Sequence, residues 1–172
     1  MAHARKIRLM ENELHRLDRY DRRILEILQE DAGISNQALA ERVGLSPSPC
    51  LRRVRALENA GIILQRVALL DRRRLGLELT ALIHIGMDRH TPERFAHFEE
   101  TVATYPEVQR CYLITGQAAD YMLQVVVPDM DAYQEFLLRR ITRLEGVDSV
   151  HSSFVLRRVL DRTALPQDYS PG

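Results

Sequence analysis

Three arginines, Arg52, Arg53 and Arg55, lie within four residues of one another, shortly after prolines at positions 47 and 49. A guanidinium group is a planar, permanently charged donor that pairs in two-pronged fashion with phosphate oxygens or with the O6 and N7 atoms of guanine. Arginines on one helix face therefore suit contacts to the major groove of a nucleic acid. The ordinary alternative is a solvated charged face, because most charged helix surfaces contact only water.

The stretch GLSPSPCLRRVRALENAGII predicts the helix that would carry these arginines, over about 46–60. Ser46 is a candidate N-cap, and the prolines fall inside the first turn, where backbone N–H groups have no acceptor within the helix. The remaining N–H, at Ser48, and the positive end of the helix dipole would then be free to face a phosphate. The apolar face of this helix holds Pro47, Cys50, Leu51, Val54 and Leu57. The opposite face holds Ser48, Arg52, Arg55 and Asn59, with Arg53 on the flank.

Two further helices are predicted immediately before this one. Helical spacing of apolar residues indicates a first helix over about 18–31, and QALAERV indicates a short second helix with Ser35 as its N-cap and Gly44 as a left-handed end. Three helices with short turns are the layout of a helix-turn-helix DNA-binding unit. Arg52 and Arg55, or Arg53 if the helix is rolled, would contact base edges or phosphates. Backbone contacts would come from Ser35, Gln37, Ser46 and Ser48.

Charge is divided unequally along the chain, although Lys+Arg and Asp+Glu each total 24. Residues 1–75 hold 15 basic and 10 acidic side chains, a net charge of +5, and residues 76–172 hold 9 and 14, a net charge of −5. This division is expected if only the first half approaches phosphates. At the junction, IILQRVALLD indicates an extended segment, on which Arg66 would contact the DNA backbone as part of a wing or would serve solubility alone.

The second half changes to short strands and two amphipathic helices. Strands are predicted at 79–87, 108–114, 121–127 and 147–160, with helices at 92–106 and 131–144. The order βαββαβ predicts a ferredoxin-like fold, in which both helices lie on one face of a four-stranded antiparallel sheet. Apolar residues on both faces of the strands favour a homodimer in which a second copy covers the other face.

Five motifs occur in the stretch from Leu17 to about Thr163: LDRYDRRILEILQEDAGISNQALAERVGLSPSPCLRRVRALENAGII, CYLITG, ADYML, VVPDMDAY and RLEGVDSV. Together they resemble the Lrp/AsnC (feast/famine) family of transcription regulators. The resemblance implies an α+β protein with an N-terminal winged helix-turn-helix and a C-terminal ferredoxin-like βαββαβ effector domain. Family members dimerise and often form tetramers or octamers. The expected organisation is an N-terminal extension (1–16), a helix-turn-helix DNA-binding domain (17–62), a wing strand and linker (63–78), an effector-binding and oligomerisation domain (79–163) and a tail (164–172).

The resemblance also implies a binding site for a small molecule, usually an amino acid, between effector domains near the turn that joins the second and third strands. That turn is ITGQAADY, residues 114–121, one residue longer than the family pattern. Gly116 would permit a left-handed turn, and Asp120 would accept hydrogen bonds from an ammonium group or merely cap the hairpin. The expected effector-binding residues are Thr115, Gly116, Gln117, Asp120 and Tyr121.

Other chemistry finds no support in the sequence. The histidines show neither HxH nor HExxH spacing, and no phosphate-binding glycine loop occurs, so we expect no metal, no other cofactor and no catalytic residues. Cys50 and Cys111 have no CxxC spacing and are expected to be reduced. The absence of a long apolar run or a secretory signal favours a cytoplasmic protein without a membrane partner.

These patterns predict a sequence-specific, DNA-binding transcription regulator that responds to an amino acid and controls genes of amino-acid metabolism or transport. The partners would be double-stranded DNA, a second copy of the chain and a small-molecule effector. The alternative is an amino-acid-sensing regulatory subunit of an enzyme, with a protein-binding helical domain. Steep dependence of DNA affinity on salt would distinguish the two, because only phosphate contacts release counterions.

Overall fold

The computed structural model describes residues 17–116 and 119–167, which form two compact units. The first unit contains residues 17–69 together with 160–167, and the second contains 70–159. The split lies within the predicted linker. The assignment of 160–163 to the first unit differs from the predicted end of the effector domain at 163. The predicted extension at 1–16 lies outside the described residues.

The first unit contains the three predicted helices, α1 (Arg19–Glu30), α2 (Asn36–Val43) and α3 (Pro47–Asn59). Asp18 begins α1 with a capping box, in which its carboxylate accepts the N–H groups of Tyr20 and Asp21 while the Asp21 carboxylate accepts the Asp18 N–H. Ser35 caps α2 through the Ala38 N–H, as predicted. Gly44 ends α2 at φ +78, a conformation that glycine adopts without the Cβ clash of other residues.

The core of this unit is formed by apolar residues at helical spacing on all three helices. Its fully buried members are Ile24, Ala40, Cys50 and Leu57. Burial raises the pKa of the Cys50 thiol, so this residue packs as a small apolar side chain. Leu51 differs from the prediction because it is 38% exposed on the outer side of α3.

Within this single chain, no strand ladder forms in 63–78, the segment predicted to hold the wing strand and linker. No strand is assigned between Asn59 and Leu79, a stretch that the structure describes throughout. A strand is defined by a hydrogen-bonded neighbour, and none of the strands in the described part of the chain pairs with this segment. Its apolar side chains are largely exposed, with Leu64 at 88% and Leu69 and Leu70 each at 72%.

The second unit has the predicted order β1 (Leu79–Met87), α4 (Pro92–Val102), β2 (Val108–Leu113), β3 (Tyr121–Val127), α5 (Met130–Arg139) and β4 (Val147–Phe154), with a short 3-10 turn at Ile141–Arg143. The sheet is antiparallel throughout, in the order β2-β3-β1-β4. This is the ferredoxin-like arrangement. The final strand ends at Phe154, before the predicted limit of 160, because residues 156–160 form no ladder with β1.

Alternate residues of β1 and β3 supply the core of the second unit. Ile83, Ile85, Tyr121 and Leu123 are all but inaccessible to solvent, and the α4 residue Phe98 packs against them. Strand residues alternate between the two faces of a sheet, so this burial places the helices on one face. Asp129 caps α5 through the Ala132 N–H, and Thr91 caps α4 through the Arg94 N–H.

The described part of the tail docks within the first unit. The Gln29 side chain of α1 accepts the Leu165 N–H at 2.6 Å and donates to the Leu165 carbonyl at 3.3 Å. This two-pronged contact is typical of an amide side chain that pairs with extended backbone. Residues 168–172 of the predicted tail lie outside the described residues.

Candidate functional site

The exposed face of α3 carries two arginines without intramolecular partners among the described residues. Arg52 and Arg55 are exposed, and neither forms an ion pair or hydrogen bond with the part of the chain that the structure describes. They stand three residues apart, so their side chains leave the same side of the helix. These guanidinium groups are therefore available to an external anion.

The start of α3 is open to solvent on the same side. Ser46 is the N-cap residue of α3, as predicted, but its side chain accepts no hydrogen bond from a described backbone N–H. Pro47 and Pro49 lack N–H groups, so Ser48 carries the available donor of the first turn, and it is exposed. The helix dipole adds partial positive charge at this end.

Arg53 occupies a different environment from its two neighbours. Its Nη1 atom lies 2.8 Å from a carboxylate oxygen of Asp18 and 2.8 Å from one of Asp21, and its guanidinium carbon lies 5.3 Å from the centre of the Tyr20 ring. The hydrogen bond to Asp21 is the main cause of a raised Arg53 pKa. The pKa of Asp18 is lowered, first by the Asp21 N–H and to a smaller extent by Arg53. Arg53 thus joins α3 to the start of α1.

The other predicted DNA-binding residues are placed around these helices. Arg66 pairs with the α3 residue Glu58 at 3.0 Å. In this exposed ion pair the positive charge of Arg66 offsets the negative charge of Glu58. Gln37 is exposed and lies 3.4 Å from Glu41 within α2. The Ser35 hydroxyl is occupied by the cap of α2.

A contact that the sequence did not suggest joins α2 to α3. The Asn36 Nδ2 donates to the Pro47 carbonyl at 2.9 Å, while its Oδ1 is buried without a hydrogen-bond partner among the described residues. This bond holds the first residue of α3 against the start of α2. No spacing rule predicts it, because it depends on the tertiary crossing of two helices.

One backbone hydrogen bond spans the turn between β2 and β3, and a second joins the end of the turn to β1. The Ile114 N–H donates to the Asp120 carbonyl at 2.8 Å, and the Asp120 N–H donates to the Ile85 carbonyl at 2.8 Å. Thr115 and Gly116 are exposed between these bonds. Gln117, a predicted site residue, lies outside the described residues.

Gly116 does not adopt the left-handed conformation that a glycine at this position would permit. It is absent from the glycines with positive φ, so the turn closes without using that freedom. A Cβ atom placed on Gly116 would meet no described atom within 4 Å. The space above this backbone is therefore open to a ligand.

Among the described residues, the Asp120 carboxylate contacts the end of β1 and the loop that follows it. Its Oδ2 accepts the Met87 N–H at 2.7 Å, and its Oδ1 lies 2.7 Å from the Nε2 of His90. These contacts join the start of β3 to the end of β1 and the loop after it.

Tyr121 belongs to the core in this arrangement. Its side chain is 1% exposed, and its ring packs against Phe95 and Phe98 at centroid distances of 5.5 and 4.7 Å. Its hydroxyl donates to the Glu99 carboxylate at 2.7 Å, and burial is the main cause of a raised Tyr121 pKa. Tyr121 and Glu99 line a groove of about 440 Å³ between α4 and β2, which Cys111 also lines.

The fold and these two surfaces together define a class of protein, the two-domain DNA-binding regulators with an N-terminal helix-turn-helix and a C-terminal ligand-binding domain. Residues 17–63 match the family model described as winged helix-turn-helix DNA-binding, and residues 80–165 match the one described as Lrp/AsnC ligand binding domain. The chain belongs to the Lrp/AsnC family of transcription regulators.

Relatives of similar length support this assignment. The chain is 40% identical over 150 residues to the DNA-binding transcriptional activator DecR of Escherichia coli K12, covering 87% of this chain and 98% of DecR. It is 43% identical over 143 residues to the leucine-responsive regulatory protein of the same organism, covering 83% and 87%. A solved transcriptional regulator of Neisseria meningitidis, in complex with L-Met, superimposes with a TM-score of 0.85 at 41% identity and covers 89% of this chain and 98% of that one.

Proposed function

We propose that the protein binds a pseudo-palindromic DNA site in a sequence-specific manner and that it acts as a homodimer or a higher oligomer. The observation that carries this proposal is the contrast among the arginines of α3 and its flank. Arg53 and Arg66 are paired with carboxylates, whereas Arg52 and Arg55 project from the exposed face of α3 without described partners. Two-fold symmetry would then place two copies of α3 on half-sites separated by whole helical turns.

An amino acid is the proposed effector, and genes of amino-acid metabolism or transport are the proposed targets. The related regulator from Neisseria meningitidis was solved with L-Met, and another relative is named for its response to leucine. In this chain, the exposed backbone at Thr115 and Gly116 and the anchored Asp120 carboxylate supply groups suited to an α-amino acid. We propose no catalytic activity, and none of the helices among the described residues is long and apolar enough to span a membrane.

Selection of bound sequences from a random DNA pool would test the DNA-binding proposal. We expect the purified protein to enrich a pseudo-palindrome at about 150 mM salt, a concentration that suppresses binding by phosphate contacts alone. The pool would be selected with and without a mixture of L-amino acids, because an effector can stabilise the binding form. A folded protein that enriches no sequence under either condition would favour the alternative, a regulatory subunit that senses an amino acid.

Replacement of Asp120 would test the position of the effector site. We expect Asp120→Ala to weaken amino-acid binding about tenfold, since it removes a charged acceptor and leaves the Met87 N–H without its partner. Isothermal titration with L-methionine and L-leucine would measure the change, and circular dichroism would confirm that the sheet is intact. Asp131→Ala, in the first turn of α5, is a control for the loss of one carboxylate in the same unit. Equal affinity of Asp120→Ala and the unchanged protein would place the site elsewhere.

A further inference from the structure

The orientation of the Asp120 carboxylate depends on one side chain outside the turn. The Met87 N–H holds one carboxylate oxygen, and this donor is fixed because it belongs to the backbone of β1. The other oxygen lies 2.7 Å from the His90 Nε2, in the loop that leads from β1 to α4. A carboxylate held at one oxygen can still rotate about its own bonds, whereas one held at both has a single orientation.

His90 also packs onto the aromatic residues beneath the turn. Its ring meets Phe95 edge-on at a centroid distance of 5.9 Å, and Phe95 in turn meets Tyr121 edge-on at 5.5 Å. The imidazole is therefore held between Asp120 and a ring that contacts the next residue, Tyr121. Although the His90 side chain is 66% exposed, these two contacts restrict its position.

We infer that His90 is a positioning residue of the effector site, which holds the Asp120 carboxylate in the orientation that receives the ammonium group of an amino acid. This inference rests on the proposed effector function. Each carboxylate oxygen has two lone pairs, so Asp120 retains acceptor capacity after it binds Met87 and His90. The conformational entropy of the Asp120 side chain is then lost when the protein folds and not when the effector binds. Effector binding therefore carries a smaller entropic cost, which raises the affinity.

Two substitutions of His90 separate positioning from mere packing. His90→Ala removes both contacts, whereas His90→Gln supplies an amide N–H that can reach Asp120 in place of the imidazole. We expect His90→Ala to weaken binding of L-methionine or L-leucine about fivefold in isothermal titration, the scale of one hydrogen bond. His90→Gln should restore binding to within about twofold. His97→Ala, an exposed histidine of α4, is the matched control and should bind like the unchanged protein.

Hydrogen exchange tests the same contact without any effector. The amide of Ile114 closes the turn on Asp120, so peptides that cover the turn should exchange faster in His90→Ala and at the original rate in His90→Gln. If the unchanged protein binds neither amino acid, the proposed effector function fails, and exchange alone decides whether His90 holds the turn. Unchanged exchange, or unchanged affinity in His90→Ala while the parent protein binds, would overturn the inference.

Discussion

Simultaneous replacement of Arg52 and Arg55 by alanine should lower affinity for the selected DNA site about 100-fold, because each arginine that pairs with a base or phosphate contributes about 1–3 kcal/mol. Both side chains are exposed on α3 and make no described intramolecular contact, so their removal leaves no internal partner unsatisfied. Fluorescence anisotropy with the selected duplex would give the affinity. The oligomeric state, measured by light scattering, should not change.

The salt dependence of binding shows which kind of contact each arginine makes. If Arg52 or Arg55 binds a phosphate, its replacement should reduce the slope of log K against log salt by about 1, whereas loss of a base contact should lower affinity for the selected site more than for random DNA. Arg139→Ala is the control, since this exposed arginine on α5 pairs with Glu135. If the double variant binds DNA as tightly as Arg139→Ala does, neither Arg52 nor Arg55 contacts the DNA.

Local rules predicted most of the fold because most of its elements are set by nearby residues. The bounds of β1 and β3 were predicted without error, since buried alternation and flanking polar residues define them within a few positions. The start of α1 followed from Asp18 and Asp21 for the same reason. The wing strand within 63–78 stays a prediction, because a strand also requires a hydrogen-bonded partner and the single chain supplies none to this segment.

The candidate sites were predicted less completely than the fold, because their geometry depends on contacts between distant positions. Helical spacing placed Arg53 on the flank of α3 but did not reveal its ion pair, because Arg53 lies 32 residues from the carboxylate of Asp21 that binds it. Likewise, His90 lies 30 residues from Asp120, and only the pairing of β1 with β3 brings them together. Gly116 could have adopted a left-handed turn, but its φ is not positive, because a glycine allows that conformation without requiring it.

Arg53→Ala should destabilise the helix-turn-helix unit by about 2 kcal/mol, even though it removes no residue that we expect to contact bases. Asp21 is only 7% exposed, so loss of its guanidinium partner leaves a nearly buried carboxylate without its counter-charge. The exposed Asp18 and the partial exposure of Arg53 keep the cost below that of a fully buried pair. Hydrogen exchange of peptides from α1 and α3 would report this unit separately, and 2 kcal/mol corresponds to about 30-fold faster exchange.

The control for Arg53 is an exposed ion pair within α1. Arg23→Ala breaks an exposed pair with Glu26, whose side chains are 56% and 46% accessible, and should cost less than about 0.5 kcal/mol. The two roles considered for Arg53 give opposite results in this comparison. A structural ion pair predicts lower stability with an unchanged salt slope of DNA binding, because no phosphate contact is lost. A base- or phosphate-contacting role predicts the stability of Arg23→Ala together with weaker DNA binding. If exchange in Arg53→Ala matches that in Arg23→Ala, α3 must be held against α1 by its apolar face alone.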